Sequence, residues 1–200
     1  MNFVKIKTYF LQKKTKVFVY SFFVLLLSFS FAMPSIRGLD AYEWNKIDAS
    51  KNARLHSNMG NIFFDEKNYQ AAIKEYEIAY NLTADKAQSS VYLYNIARCF
   101  MTLNQYQLAK NAILGAIKKD CMNITYYNAL ADCIIKLNQQ DIEIEKYLKE
   151  YKNPYNRIIV GLILQKIGKK QEAKFIFDEF VNKYPDMIIT DDVKMILNQI

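Results

Sequence analysis

A small residue set between apolar neighbours recurs at Gly60, Ala97, Ala131 and Gly161, at intervals of 37, 34 and 30 residues. Three residues after each comes a large apolar side chain: Phe63, Phe100, Ile134 and Leu164. A period of this length constrains a chain more than any local motif, because it marks one supersecondary unit copied in tandem. The small residue lets two helices approach closely, and a bulky neighbour fills the space that is left.

Each unit carries a second apolar face. Ala72, Tyr76 and Ala79 fall at i, i+4 and i+7, one stripe of a 3.6-residue helix. Ala109, Ile113 and Ala116 repeat the spacing, as do Ala173, Phe177 and Phe180, with Pro185 beyond as a stop. The third unit departs from the pattern: Ile144, Leu148 and Tyr151 supply its helical face, no alanine precedes them, and the following linker is short. Between the paired helices lie corresponding turns at Lys67-Asn68-Tyr69, Asn104-Gln105-Tyr106, Asn138-Gln139-Gln140 and Gly168-Lys169-Lys170. Only 5 Gly and 3 Pro in 200 residues leave little material for a turn-rich β fold, so helices are expected throughout.

These positions resemble the tetratricopeptide repeat family, whose signature runs W-x2-L-G-x2-Y, then A-x3-F, then A and P. The first copy reads His56-x2-Met59-Gly60-x2-Phe63, Ala72-x3-Tyr76, Ala79, and the fourth reads Arg157-x2-Val160-Gly161-x2-Leu164, Ala173-x3-Phe177, with Pro185. The resemblance spans residues 53–186. It implies an all-α fold: a right-handed superhelix of about four helix-turn-helix repeats. Residues 187–200, with Asp191 and Asp192 ahead of Val193, Met195, Ile196 and Leu197, read as a C-terminal capping helix whose acids suit a helix N-terminus. Residues 33–52 read as a spacer, or as a cap that sets Trp44 and Ile47 on the open end of the first repeat.

The net charge of +7 is unevenly placed. Residues 1–32 hold five lysines and no acid, which leaves 22 basic and 20 acidic residues in the remainder. A nearly balanced remainder gives no electrostatic reason to expect nucleic acid as a partner. The basic stretch precedes an apolar run, VFVYSFFVLLLSFSFA, at residues 17–32. Two readings stand: a secretory signal cleaved after Ala32, or an uncleaved anchor that would be the chain's contact with a membrane. Both export the remainder, and a bacterial cell envelope, periplasmic or secreted, is the expected setting.

Candidate chemistry is sparse. His56 is the single histidine and occupies a helix-packing position, where a structural role is expected. Cys99 and Cys133 sit in apolar helical patterns and read as buried thiols, the alternative being one bridge that involves Cys121. No metal-ligand spacing, phosphate-cradling loop or dinucleotide fingerprint occurs, so neither a metal, a cofactor nor catalysis is expected. The acidic run Asp141-Ile142-Glu143-Ile144-Glu145 reads as a solvated helix start.

The resemblance instead implies a concave groove lined by the first helix of each repeat. Carried over position by position, its lining is Arg54, Ser57, Asn61, Phe64 and Asp65, then Tyr94, Asn95, Arg98, Met101 and Thr102. The third copy contributes Asn128, Asp132, Ile135 and Lys136, and the fourth Ile158, Leu162 and Gln165. Aromatic and Met side chains beside Asn and Arg suit an extended peptide or a partner helix, although Phe64 and Met101 also read as helix-packing residues. Asn61 and Asn95 match asparagines with which family members that bind chaperones clamp a terminal carboxylate. Ser57, Thr125 and Ala129 stand where the clamp's cations would be, so a receptor of that kind is not expected. The functional expectation is a non-catalytic scaffold or assembly factor; the alternative is a carrier for a small molecule or cell-wall polymer.

Overall fold

A computed structural model describes the backbone of residues 41–150 and 152–200, and the side chains of residues 51–150 and 152–200. The apolar run at 17–32, with both readings of it, lies outside the described residues, as do Tyr151 and the side chains of Trp44 and Ile47. Among the described residues every regular element is a helix: α1 (Ala41–Asp65), α2 (Tyr69–Leu82), α3 (Lys86–Thr102), α4 (Tyr106–Lys119), α5 (Ile124–Lys136), α6 (Gln140–Lys149), α7 (Tyr155–Lys166), α8 (Lys170–Lys183) and α9 (Ile189–Leu197). They form four helix pairs and a final helix, the arrangement expected. Of the segment 33–52, the part from Ala41 onward belongs to α1.

The repeat is held in phase by its turns. Seven residues after each small residue stand Lys67, Asn104, Asn138 and Gly168, all with positive φ, at 63°, 58°, 54° and 86°. Each closes the first helix with the same pair of hydrogen bonds. Lys67 N donates to Phe64 O and Asn68 N to Phe63 O, and the corresponding pairs recur in the other three turns. This two-bond left-handed cap satisfies carbonyls that a helix end would leave orphaned. Asn tolerates left-handed backbone better than Lys does, and Gly best of all.

Because each turn fixes the start of the next helix, the inward positions of the second helices keep one register. Sixteen residues after the four small residues come Tyr76, Ile113, Tyr147 and Phe177, all buried. A Cβ on Gly60 would lie 2.6 Å from Cε1 of Tyr76, and one on Gly161 would overlap the Phe177 ring. The two glycines are therefore seats for aromatic rings. Ala97 and Ala131 occupy the same seat in the middle repeats, opposite Ile113 and Tyr147.

This register corrects the face expected for the third repeat. In α6 the buried residues are Glu143 and Tyr147, whereas Leu148, expected inside, is 40% exposed. The turn at Asn138 sets the phase of α6 one residue earlier than its apolar pattern suggests. Glu143 consequently takes the place that Ala72, Ala109 and Ala173 hold in the other copies, and is not part of a solvated helix start. Its carboxylate is met by Lys110 of α4, with Nζ donating to Oε1 at 2.6 Å and to Oε1 of Gln139 at 2.8 Å. Burial by itself would raise the Glu143 carboxyl; the hydrogen bond and charge of Lys110, helped by Lys146, bring it below the ordinary glutamate value.

Apolar burial joins the repeats. One cluster runs from Ala97 through Ile113, Tyr127, Leu130, Ile163 and Phe177 to Val193, spanning repeats two to four and α9. Smaller clusters around Ala72, Tyr76 and Cys99, and around Ala53, Ala79 and Tyr92, join the first repeat to the second. Cys99 and Cys133 are fully buried, as expected, and Cys121 is half-buried; all three are free thiols. Burial pushes the Cys99 and Cys133 thiols up to about 11, so both stay protonated and behave as apolar filler.

Candidate functional site

The first helices α1, α3 and α5 bring the expected groove residues to partly open positions. Asn61, Asp65 and Arg98 are exposed, while Phe64, Tyr94, Asn95, Met101, Asn128 and Asp132 are half-buried. Phe64 and Met101 each pack against a core cluster, as the helix-packing reading expects, and keep part of their surface open.

Contacts tie these side chains into one surface across repeats. The Arg98 guanidinium lies over the Phe64 ring, 4.6 Å from its centroid, joining α3 to α1. Arg98 Nη1 also donates to Asn95 Oδ1 at 3.4 Å. Among the described residues no carboxylate pairs with Arg98. The Tyr94 ring packs at 5.0 Å on Tyr126 of α5, whose hydroxyl lies 3.1 Å from Ser90 Oγ. Burial raises the Tyr94 hydroxyl above its ordinary value, with Arg98 acting against the shift and Tyr126 and Asp132 adding to it. A phenol so placed stays protonated and can both donate and accept.

Two residues at the rim are held by partners the sequence did not suggest. Asn61 Oδ1 accepts from the Tyr76 hydroxyl at 2.7 Å, which orients its amide from the ring that fills the Gly60 seat. Asp132 Oδ1 is 2.7 Å from Lys166 Nζ, an ion pair between α5 and α7. Lys166 shares its register with Asp65, Thr102 and Lys136, and that spacing was the signal available to find it. Tyr126, between Thr125 and Tyr127, offered none, since nothing in its local pattern points to Tyr94 in the preceding repeat.

The fourth repeat does not contribute as expected. Ile158 and Leu162, placed in the groove by position, are fully buried. Their equivalents Ser57 and Asn61, Tyr94 and Arg98, and Asn128 and Asp132 are all open to some degree. The apolar pair is covered, not offered.

Other sites fall away. His56 Nδ1 is 2.6 Å from Glu75 Oε2, a link between α1 and α2 that gives the histidine a structural partner. No group of three or more His, Cys, Asp or Glu placed to hold a metal occurs among the described residues. On the side of the second helices, an apolar cleft of about 440 Å³ opens between α6, α7 and α8, lined by Ile144, Leu148, Val160, Leu164 and Ile176, with Phe175 at its edge 70% exposed. No helix among the described residues is long and apolar enough to cross a membrane.

Comparison with known proteins bears on the repeat. Family models described as "Tetratricopeptide repeat" match residues 53–86 and 91–118, and a further one of the same description matches residues 159–186. The chain is 28% identical over 132 residues to the Hsp70-Hsp90 organising protein of Plasmodium falciparum (isolate 3D7). That match covers 62% of this chain and 23% of the relative, so the chain spans about a quarter of the relative's length. Among solved structures, YrrB, described as a tetratricopeptide repeat protein with an unusual peptide-binding site, aligns at 17% identity over 73% of this chain and 76% of that one, with a TM-score of 0.46. The first such domain of Spaghetti (RPAP3), bound to the HSP90 peptide SRMEEVD, aligns at 15% identity over 75% of this chain and 95% of that one, with a TM-score of 0.43.

Proposed function

We propose, of a chain that carries tetratricopeptide repeats, that it is a non-catalytic protein–protein interaction module whose concave surface receives an extended peptide or a partner helix. The observation that carries this reading is the continuous surface from Asn61 and Phe64 through Arg98 and Tyr94 to Asn128 and Asp132. It combines three things a peptide needs: oriented amides for its backbone, half-open aromatic rings for its apolar side chains, and one guanidinium free of carboxylates. Ser57, Thr125 and Ala129 bring no cations to the positions of a terminal-carboxylate clamp, so recognition is expected to run along the partner's length, not at its terminus.

The module acts outside the cytoplasmic membrane in this reading, as a scaffold or assembly factor. The lysine-rich start and the apolar run at 17–32 support that location. Cell fractionation together with the N-terminal residue of the mature protein tests it; recovery of the intact chain in the cytosol would overturn it.

A photo-crosslinker placed at Tyr94 or Arg98 is expected to capture a protein partner, and at Phe175 to capture none. Capture from Phe175 alone would move the interface to the cleft between α6 and α8. Survival of the binding activity of envelope extracts after protease treatment would favour a small molecule or polymer as ligand.

A further inference from the structure

We infer that the outer side of α1 is a self-association surface, on which two copies of this chain pair antiparallel through Leu55, Met59 and Ile62. This side of α1 is not the groove side, so the pairing holds whether or not the groove takes a peptide.

In the rest of the array the equivalent side is where repeats stack. Counted from the small residue of each repeat, it comprises the positions five before, one before and two after. Repeats two to four hold Tyr92, Ile96 and Cys99, then Tyr126, Leu130 and Cys133, then Asn156, Val160 and Ile163 there, and every one is buried. Ile96 and Cys99 share a cluster with Ala72, Ile73 and Tyr76 of the first repeat, and Tyr92 shares one with Ala53 and Ala79. The first repeat places Leu55, Met59 and Ile62 at the same positions, where they are 58%, 43% and 57% exposed. A terminal repeat ordinarily turns a polar face to water. This one turns out an apolar stacking face.

The sequence around the stripe says what fits it. Residues 47–52 continue α1 itself, and a helix cannot cover its own side. At the far end of the array α9 packs on α8 and reaches α5, with Ile189 and Val193 buried, so a second copy finds no open stacking face there. The contact left to two copies is the stripe with itself, about a twofold axis. The flanking charges match that symmetry. Glu66 N donates to Ile62 O at 2.9 Å and so continues the last turn of α1. With a helical step of about 100° per residue, Lys51, Leu55, Met59, Ile62 and Glu66 fall in one strip about 80° wide. An axis between Asn58 and Met59 sets Leu55 opposite Ile62 of the second copy and Lys51 opposite its Glu66. Both charged residues are exposed, and neither has an ion-pair partner among the described residues. A parallel pair would set lysine on lysine and glutamate on glutamate, so charge selects the antiparallel register. The other sides of α1 stay as they are: His56 faces Glu75 and Gly60 seats Tyr76, while Asn61 and Phe64 remain with the groove.

Three apolar side chains are far fewer than the about 20–30 residues a side of a standard interface, so the pair is reversible and a covalent trap suits it. Met59→Cys in the full chain puts a thiol beside the axis, and copper phenanthroline supplies the oxidant. The unaltered chain, with half-buried Cys121, gives the background. Disulfide-linked dimer on a non-reducing gel is expected at least fivefold above that from Lys174→Cys, an exposed position on α8. Lys51→Glu or Glu66→Lys, added singly to Met59→Cys, sets like charges opposite each other and should lower the yield at least threefold. Both together re-form the pairs and should restore it. Yield no higher than from Lys174→Cys overturns the inference, as does indifference to the single exchanges or failure of the double exchange to restore. A Met59→Cys adduct whose mass is not twice that of the chain overturns it too, since another protein would then cover the stripe.

Discussion

Lys110 of the second repeat reaches into the third, where its Nζ lies 2.6 Å from Oε1 of Glu143 and both side chains are about one-tenth exposed. Glu143 stands where three of the four repeats place alanine, so the ion pair accommodates a departure from the repeat and bolts α4 to α6. A buried charge is tolerable when paired and costly when stranded.

Lys110→Met should accordingly cost about 3 kcal/mol, since it leaves the buried carboxylate with only the half-exposed Lys146, 3.4 Å away, as a partner. The double variant Lys110→Met, Glu143→Ala restores the alanine and should return to within about 1 kcal/mol of the parent. Denaturant unfolding of the two single variants and the double variant reads the coupling directly. Additive costs would mean that the pair does no more than two separate residues.

The same pair makes stability depend on acid. The folded carboxyl of Glu143 titrates below the ordinary glutamate value. Its contribution is therefore complete above the unfolded range, and it is lost as pH falls through the lower folded value. Thermal unfolding should show the parent losing stability more steeply than the double variant between about pH 5 and pH 3. Parallel curves would contradict the assignment.

Gly60→Ala would push a Cβ into the Tyr76 ring and should cost about 1–3 kcal/mol of unfolding free energy. Adding Tyr76→Ile reproduces the native pair of the second repeat, Ala97 with Ile113, and should recover most of that loss. The recovery, measured as a double-mutant cycle, distinguishes a crowded ring from a general intolerance of the site.

Lys67 holds a φ of 63° in the first turn, where the fourth repeat has Gly168. Lys67→Gly should raise stability by up to about 1 kcal/mol, because glycine carries no steric penalty in the left-handed region. A lower midpoint in urea would show that the lysine side chain contributes more than the strain costs.

Most of the architecture was legible in the chain itself. Small residues, helical stripes and turns recur at a common period, and each signal is local, so the tandem helix pairs follow from short-range sterics. The partial exposure of Asn61, Phe64, Tyr94, Arg98, Asn128 and Asp132 follows the same logic, since position in a repeat determines which face a side chain joins. What could not be read is where one repeat answers another. Glu143 passed for a solvated helix start because its partner Lys110 is 33 residues away. Leu148 passed for core because an apolar stripe alone does not set helix phase; the left-handed turn at Asn138 does.

The sequence by itself determined the repeat, its four turns and the close-packing places of its two glycines, because these depend on contacts within about one unit. Tertiary structure alone decided that Arg98 lies on Phe64, that Lys110 neutralises Glu143, and that Ile158 and Leu162 are buried. Those relationships join residues that no local periodicity couples, and burial assigns them their charge states and their exposure only once the repeats have stacked.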